Sequence, residues 1–232
     1  DMEILVGSAG NRLPFITLPK PCSAGDVQVQ LEALREIERH FGVDRRIPVH
    51  VLIETHGALH EVWEIATLPG VESLDFGLMD FVSGHHGAIP KKKKKKTGQF
   101  DHPLVTRAKC KISAAALACG VVPSHNVTTE LNDIEYIRND ARRARTEFGF
   151  LRMWSIHPNQ IVPIIEAMRP DFSEVQVSVE ILIAAQDMDW GPTQHKGKLH
   201  DRASYRYYWE LLERAHITGM EIPSEAKSRF FV

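Results

Sequence analysis

The strongest constraint in this sequence is an alternation. Short apolar runs, each ending in a charged or polar residue, are separated by longer segments whose apolar residues recur at helical spacing. Runs at 15–20, 48–53, 73–78, 121–126 and 151–156 read as strands, and the stretches between them as helices, which predicts parallel strands joined by helical crossovers. In the first helical stretch Val27, Leu31, Leu34 and Ile37 fall on one face, so that face should lie on a sheet, and Gly42 closes the segment. Pro69-Gly70 stops the next helix and Gly149 a later one that is strongly charged on one side. Two further helices, at 172–188 and 203–215, flank a loop broken by Gly191, Pro192 and Gly197, and read as an appendage. Five βα units are visible; an open five-stranded sheet fits them, and a closed barrel requires eight. No G-x-G-x-x-G pattern follows any of the five runs, which weakens a dinucleotide-binding reading.

The chain has 232 residues, of which 43% are apolar, enough for one large α/β domain or two small ones. A formal net charge of -2 suggests neither a nucleic-acid footprint nor an acidic solvating tail. Six of the 28 basic residues form one run at 91–96, and that run carries the competing, non-enzymatic reading: a basic tether for nucleic acid or anionic membrane. The run has no aromatic interleaving and no basic neighbourhood, so partners of both kinds are expected to be absent. Three cysteines without a CxxC argue for buried thiols in a reducing compartment, and a cytoplasmic location is expected. No apolar stretch approaches the roughly 20 residues that cross a bilayer.

In parallel α/β folds chemistry collects at the C-terminal ends of strands. The residues there are Lys20, Glu54, Asp80, the Ser124-His125 pair and His157. Glu54 and Asp80 follow successive strands, and neighbouring strands lie about 4.8 Å apart, so the two carboxylates can converge on one cation. An oxygen-only pair with open positions suits Mg²⁺ and makes a poor zinc site. The alternative reading is that both are helix caps or surface ion pairs. His56 and His60 stand four apart, and His85-His86 lies in a glycine loop; both pairs read as surface or packing histidines.

Several motifs at these strand ends, in the right order, resemble one family. Leu52-Ile53-Glu54-Thr55 followed by Leu74-Asp75-Phe76-Gly77-Leu78-Met79-Asp80 resembles the paired motifs of citrate lyase beta subunits and of malyl-CoA and citramalyl-CoA lyases. Ile16-Thr17-Leu18-Pro19-Lys20 resembles the family's preceding strand, and Ser155-Ile156-His157-Pro158-Asn159-Gln160 its last barrel strand. Asp201-Arg202-Ala203-Ser204-Tyr205-Arg206 resembles its C-terminal lid.

The resemblance implies a (β/α)8 TIM barrel with a C-terminal helical lid, divided into a partial barrel at residues 1–170 and a helical extension and lid at 171–232. It implies a Mg²⁺-dependent carbon–carbon lyase that splits, or forms, a 3-hydroxyacyl-CoA such as citryl-, malyl- or citramalyl-CoA, giving an acyl-CoA and a 2-oxo acid. Glu54 and Asp80 would hold the metal and Asp201 would be the acid/base, reaching the active site of a neighbouring subunit in a trimer or hexamer. Lys20, Gly77, Met79, His157 and Gln160 would bind substrate, with backbone N–H groups around Gly77 to Asp80 receiving its carboxylate. Residues 1–13 match none of the family's opening strands, including the one with a carboxylate-holding arginine, so the chain is expected to lack that part. Two alternatives keep the fold: an aldolase acting on free hydroxy-oxo acids, and a catalytically silent binding relative.

Overall fold

The computed structural model describes residues 1–89 and 98–231. The lysine run at 91–96 lies outside the described residues, as does Pro90. The chain divides into two compact units, Asp1–Ile164 and Ile165–Val232.

Among the described residues the first unit is built on five parallel strands in sequential order: β1 (Ile16–Leu18), β2 (Val49–Ile53), β3 (Val71–Phe76), β4 (Val122–His125) and β5 (Arg152–Met153). Four of the expected runs each contain one of them, and the run at 73–78 overlaps β3, which begins at Val71 and ends at Phe76. Alternation sorts the side chains of β2: Val49, Val51 and Ile53 are fully buried on one side, while His50 and Leu52 face the other, where they border a cavity of about 790 Å³. Packed on the first side are α2 (Ala24–His40), α4 (Val62–Ala66) and α7 (Pro103–Cys119), which bury Leu34, Ile65 and Ile112 among others. Helix α1 (Met2–Ala9) packs on α2, and α8 (Ile134–Phe148) on α7 and β5. Helix α2 starts where Ser23 accepts the Asp26 N–H on its hydroxyl, a cap contributing about 1 kcal/mol.

The expected second helix is broken at Glu61 into α3 (His56–His60) and α4. Glu61 turns its carboxylate onto the Ala24 N–H at 2.7 Å, so it caps α2 from another element. β1 and β5 are the two edges of an open sheet among the described residues, because five strands cannot complete a ring that needs eight.

In the second unit α10 (Phe172–Asp187) and α11 (Arg202–Ile217) pack through Val175, Val179 and Leu182 against Leu212 and Ala215. Between them β6 (Thr193–His195) and β7 (Lys198–His200) form an antiparallel hairpin, in a segment whose glycines and proline suggested only a loop. Its two turn residues, Lys196 and Gly197, both have positive φ, at 48° and 79°, as a tight turn matched to the strand twist requires. Helix α12 (Ser224–Phe230) completes the unit, burying Ala226. All three cysteines are free, but Cys22 and Cys110 are exposed and Cys119 is half-buried, which corrects the expectation of buried thiols. No helix among the described residues is long and apolar enough to cross a membrane.

Candidate active site

The register of the sheet brings the site together. Ile53 pairs with Phe76, so one step further along each chain Glu54 comes opposite Gly77. The Gly77 N–H still reaches the Ile53 carbonyl at 3.1 Å, after which the chain turns into helix α5 (Leu78–Ser83). Asp80 therefore sits in the first turn of a helix, and the strand that was expected to run to it ends at Phe76.

Glu54 is buried, at 6% exposure, and Asp80 is exposed. Their side chains are close neighbours, and Lys20 contacts both. Burial raises the Glu54 carboxyl above its ordinary range, the negative charge of Asp80 adds to that, and Lys20 acts in the opposite sense through its backbone N–H and its ammonium. Two contacts from Lys20 locate it: its N–H donates to Glu54 Oε1 at 2.8 Å, and its Nζ lies 3.2 Å from Asp80 Oδ1. To aim both groups at the pair, Lys20 adopts φ 54°, a left-handed conformation that costs a non-glycine residue about 1 kcal/mol. Thr55 fixes the same loop by donating its hydroxyl to the Pro21 carbonyl at 2.7 Å, while accepting the Ala58 N–H at 3.0 Å.

Gly77 is fixed by close approach. A Cβ there would lie 2.4 Å from Glu54 Cβ and 2.5 Å from Glu54 Oε2, so only hydrogen fits in the space the carboxylate occupies. Met79 is 54% exposed on the following turn.

The donor set suits a hard divalent cation. Two adjacent carboxylates, one of them half open to solvent, already attract the Lys20 ammonium, which marks the position where positive charge is stabilised. No group of three His, Cys, Asp or Glu side chains able to hold a metal occurs among the described residues, so a cation here would complete its shell with water or substrate oxygens.

The other predicted residues are placed differently. His157 accepts the Asn159 N–H on Nδ1 at 3.2 Å and so caps the short turn Pro158–Gln160. Gln160 is fully buried; it donates to the Thr128 and Glu130 carbonyls and accepts the Ile156 N–H. A pocket-wall role does not fit a side chain whose two donors are already committed, and Gln160 is instead a strut between the loops after β4 and β5. Asp201 belongs to the second unit, where it caps α11: its Oδ1 accepts the Ala203 N–H at 2.9 Å, and Ser204 returns a bond to its backbone N–H. It is exposed, and with Trp190, Pro192 and Arg202 it borders a cavity of about 410 Å³. Tyr205 holds this corner, its hydroxyl lying 2.7 and 3.0 Å from the Gly191 and His200 carbonyls, which share its one hydrogen.

One cluster was not anticipated. On the cavity side of the sheet His50 Nδ1 lies 3.5 Å from Asp75, Glu72 bridges His50 and Arg152, and Phe15 stacks on the His50 ring at 3.8 Å. The signal available was alternation, which puts His50 two residues before Leu52 and Asp75 two before Gly77 on that one face.

Residues 8–158 match the family described as HpcH/HpaI aldolase/citrate lyase. An L-malyl-CoA/beta-methylmalyl-CoA lyase of Cereibacter sphaeroides is 30% identical over 230 residues, covering 94% of this chain and 72% of its own length. The crystal structure of a citrate lyase from Burkholderia xenovorans LB400 matches with a TM-score of 0.88 at 51% identity, over 99% of this chain and 72% of that one. A citrate lyase beta subunit from Mycobacterium tuberculosis, complexed with oxaloacetate and magnesium, matches with a TM-score of 0.57 at 25% identity, over 73% of this chain and 66% of that one. The chain belongs to the HpcH/HpaI aldolase/citrate lyase family.

Proposed function

We propose that this chain is a Mg²⁺-dependent carbon–carbon lyase that cleaves, or forms, a 3-hydroxyacyl-CoA, giving an acyl-CoA and a 2-oxo acid. The observation that carries the reading is the neighbouring Glu54 and Asp80 carboxylates, both contacted by Lys20, beyond the C-terminal ends of β2 and β3. The relative from Cereibacter sphaeroides is named as a lyase of such thioesters, and the Mycobacterium tuberculosis relative was solved with a 2-oxo acid and magnesium, which supports both halves of the substrate.

Glu54 and Asp80 would hold the ion, which supplies Lewis-acid polarisation of the oxygens at the 2-oxo acid end of the substrate. Lys20 keeps Glu54 in place through its N–H and gives Asp80 a counter-charge. Gly77 leaves the Glu54 carboxylate its room, and the exposed Met79 side chain borders the approach. In the cleavage direction a carboxylate oxygen of Asp201 takes the proton of the 3-hydroxyl. The carbon–carbon bond breaks, the oxygen becomes the keto group, and the electron pair left on the thioester carbon takes up a proton to give the acyl-CoA. Residues 1–170 form the partial barrel and 171–232 the lid, which brings Asp201 to the site of a neighbouring subunit in a trimer or hexamer. The Asp201 cap and the Tyr205 anchor support this role, since both hold an exposed carboxylate in one orientation.

Assays with malyl-, citramalyl- and citryl-CoA against the corresponding free acids, with and without Mg²⁺, test the proposal. Turnover of thioesters alone is expected. Turnover of the free acids would favour an aldolase, and Mg²⁺ binding without turnover of either would favour a binding relative. Glu54→Ala is expected to lose both metal binding and activity, and Asp201→Asn to lose activity alone.

A further inference from the structure

Away from the carboxylate pair, the outer layer of the first unit holds a buried charge pair that the proposed chemistry does not use. Lys109 on α7 is fully buried and Asp140 on α8 is 1% exposed. Between them stands Gln99 of the short helix α6 (Gly98–Asp101), which follows α5 in the connection from β3 to α7. The Gln99 side chain donates to Asp140 Oδ2 at 2.7 Å, and its Oε1 accepts from Asn126 at 2.9 Å and from Lys109 at 3.4 Å. Next to it the buried Phe100 ring lies between two cations, Lys109 Nζ at 3.9 Å and the Arg143 guanidinium at 4.4 Å from its centroid. Asn126 directly follows β4, Thr128 donates to Asp140, and Gln160 ties the Thr128 and Glu130 carbonyls to the Ile156 N–H after β5.

We propose that Gln99, held between Lys109 and Asp140, is a positioning residue that seats α6 against the loops after β4 and β5, so that the substrate-binding end of the sheet is organised before substrate arrives. Burying two charges in a layer of alanines and phenylalanines gives no strong net stabilisation by itself. Burial pushes Lys109 down to about 7 and Asp140 up to about 6, which shows how strongly that environment works against both charges. What the pair secures is a fixed orientation of one amide that α7, α8 and the loop after β4 share. The effect on catalysis rests on the lyase reading above; the seating of α6 does not.

Gln99→Met keeps the bulk and removes the amide. Amide hydrogen exchange at 98–101 and 126–130 is expected to accelerate at least tenfold, with α10 and α11 unchanged. If the competent arrangement then makes up about a tenth of the population, KM for the thioester rises roughly tenfold while kcat stays within twofold. Lys109→Met and Asp140→Asn should each show the same acceleration, and the double variant, which leaves neither charge unpaired, should recover most of it. Unchanged exchange in Gln99→Met overturns the proposal whether or not the chain proves to be a lyase. Faster exchange with a fall in kcat at constant KM would overturn the substrate-binding part.

Discussion

Replacing Gly77 by alanine adds one methyl group and tests the core of the candidate site. Gly77 has φ -95° and ψ 74°, which other residues can adopt, so the consequence is steric and not conformational. The added carbon would lie 2.4 Å from Glu54 Cβ and 2.5 Å from Oε2, against ordinary carbon contacts of about 3.5–4.0 Å. Either Glu54 or the turn into α5 must therefore retreat by about 1 Å or more. If Glu54 moves, its Oε1 leaves the Lys20 N–H, which it now accepts at 2.8 Å, and its carboxylate leaves Asp80. If the turn moves, Asp80 is carried away on α5.

Overpacking of this kind costs about 1–3 kcal/mol, which for a chain of this size lowers the melting temperature by roughly 3–10 °C. Misplacing one oxygen ligand weakens metal binding by about 10- to 100-fold, the scale seen when the groups that orient a ligand are lost. Isothermal titration with Mg²⁺ and scanning calorimetry on Gly77→Ala read the two effects separately. Gly98→Ala serves as control, because a Cβ at Gly98 meets nothing within 4 Å, and it should be silent in both assays. Wild-type Mg²⁺ affinity in Gly77→Ala, with the melting temperature unchanged, would refute the claim that Glu54 and Gly77 compete for one space beside the metal site.

Other substitutions test neighbouring parts of the argument. Gln160→Leu leaves two carbonyls and one N–H without their buried partner, and chemical unfolding should show a loss of about 3 kcal/mol. Asp201→Ala removes an acid/base and a helix cap together, whereas Asp201→Asn keeps the cap, so the alanine variant should unfold about 1 kcal/mol more easily than the asparagine one while both lose kcat. Stability against pH should carry the signature of the buried pair. Asp140 binds its proton more tightly when folded, at about 6 against 3.8, so its contribution falls as pH rises between those values. Lys109 gives up its proton more readily when folded, at about 7 against 10.5, so its contribution rises with pH above 7. Urea titrations from pH 5 to 9 should lose the alkaline rise in Lys109→Met and the acid-side rise in Asp140→Asn.

The strands were legible because burial of a parallel sheet demands apolar runs, and each of the five runs could be recognised without knowledge of its partners. Glu54 was legible for the same reason: it is the first charged residue after a run that must be buried, and the chain cannot place it elsewhere. The ends of elements were less so. The run through Leu78 looks like continuous strand, yet Gly77 takes the last ladder bond and α5 begins beyond it, so Asp80 reaches the pair from a helical turn. The hairpin of β6 and β7 escaped because Gln194, Lys198 and Leu199 give no apolar alternation, and the signal lay only in the Lys196-Gly197 turn. The exposed cysteines were misread because their count speaks to disulfides and says nothing about which side of a helix they occupy.

What stayed hidden shares a physical cause. Lys20 turns left-handed because Glu54, 34 residues later, accepts its N–H. Gln160 is a strut because two carbonyls of another loop need its donors. Lys109 and Asp140 look like the charged faces of amphipathic helices until α7 and α8 pack, at which point both are buried around the Gln99 amide. Local pattern fixes which residues are apolar and where chains turn, whereas the conformation of a polar side chain is decided by partners that only the assembled fold supplies. Such residues concentrate here on the loops after the strands, where hydrogen bonds replace the regular ladder. A substitution in those loops should therefore be judged by the donor or acceptor it strands, whichever element that group belongs to, before it is judged by local propensity.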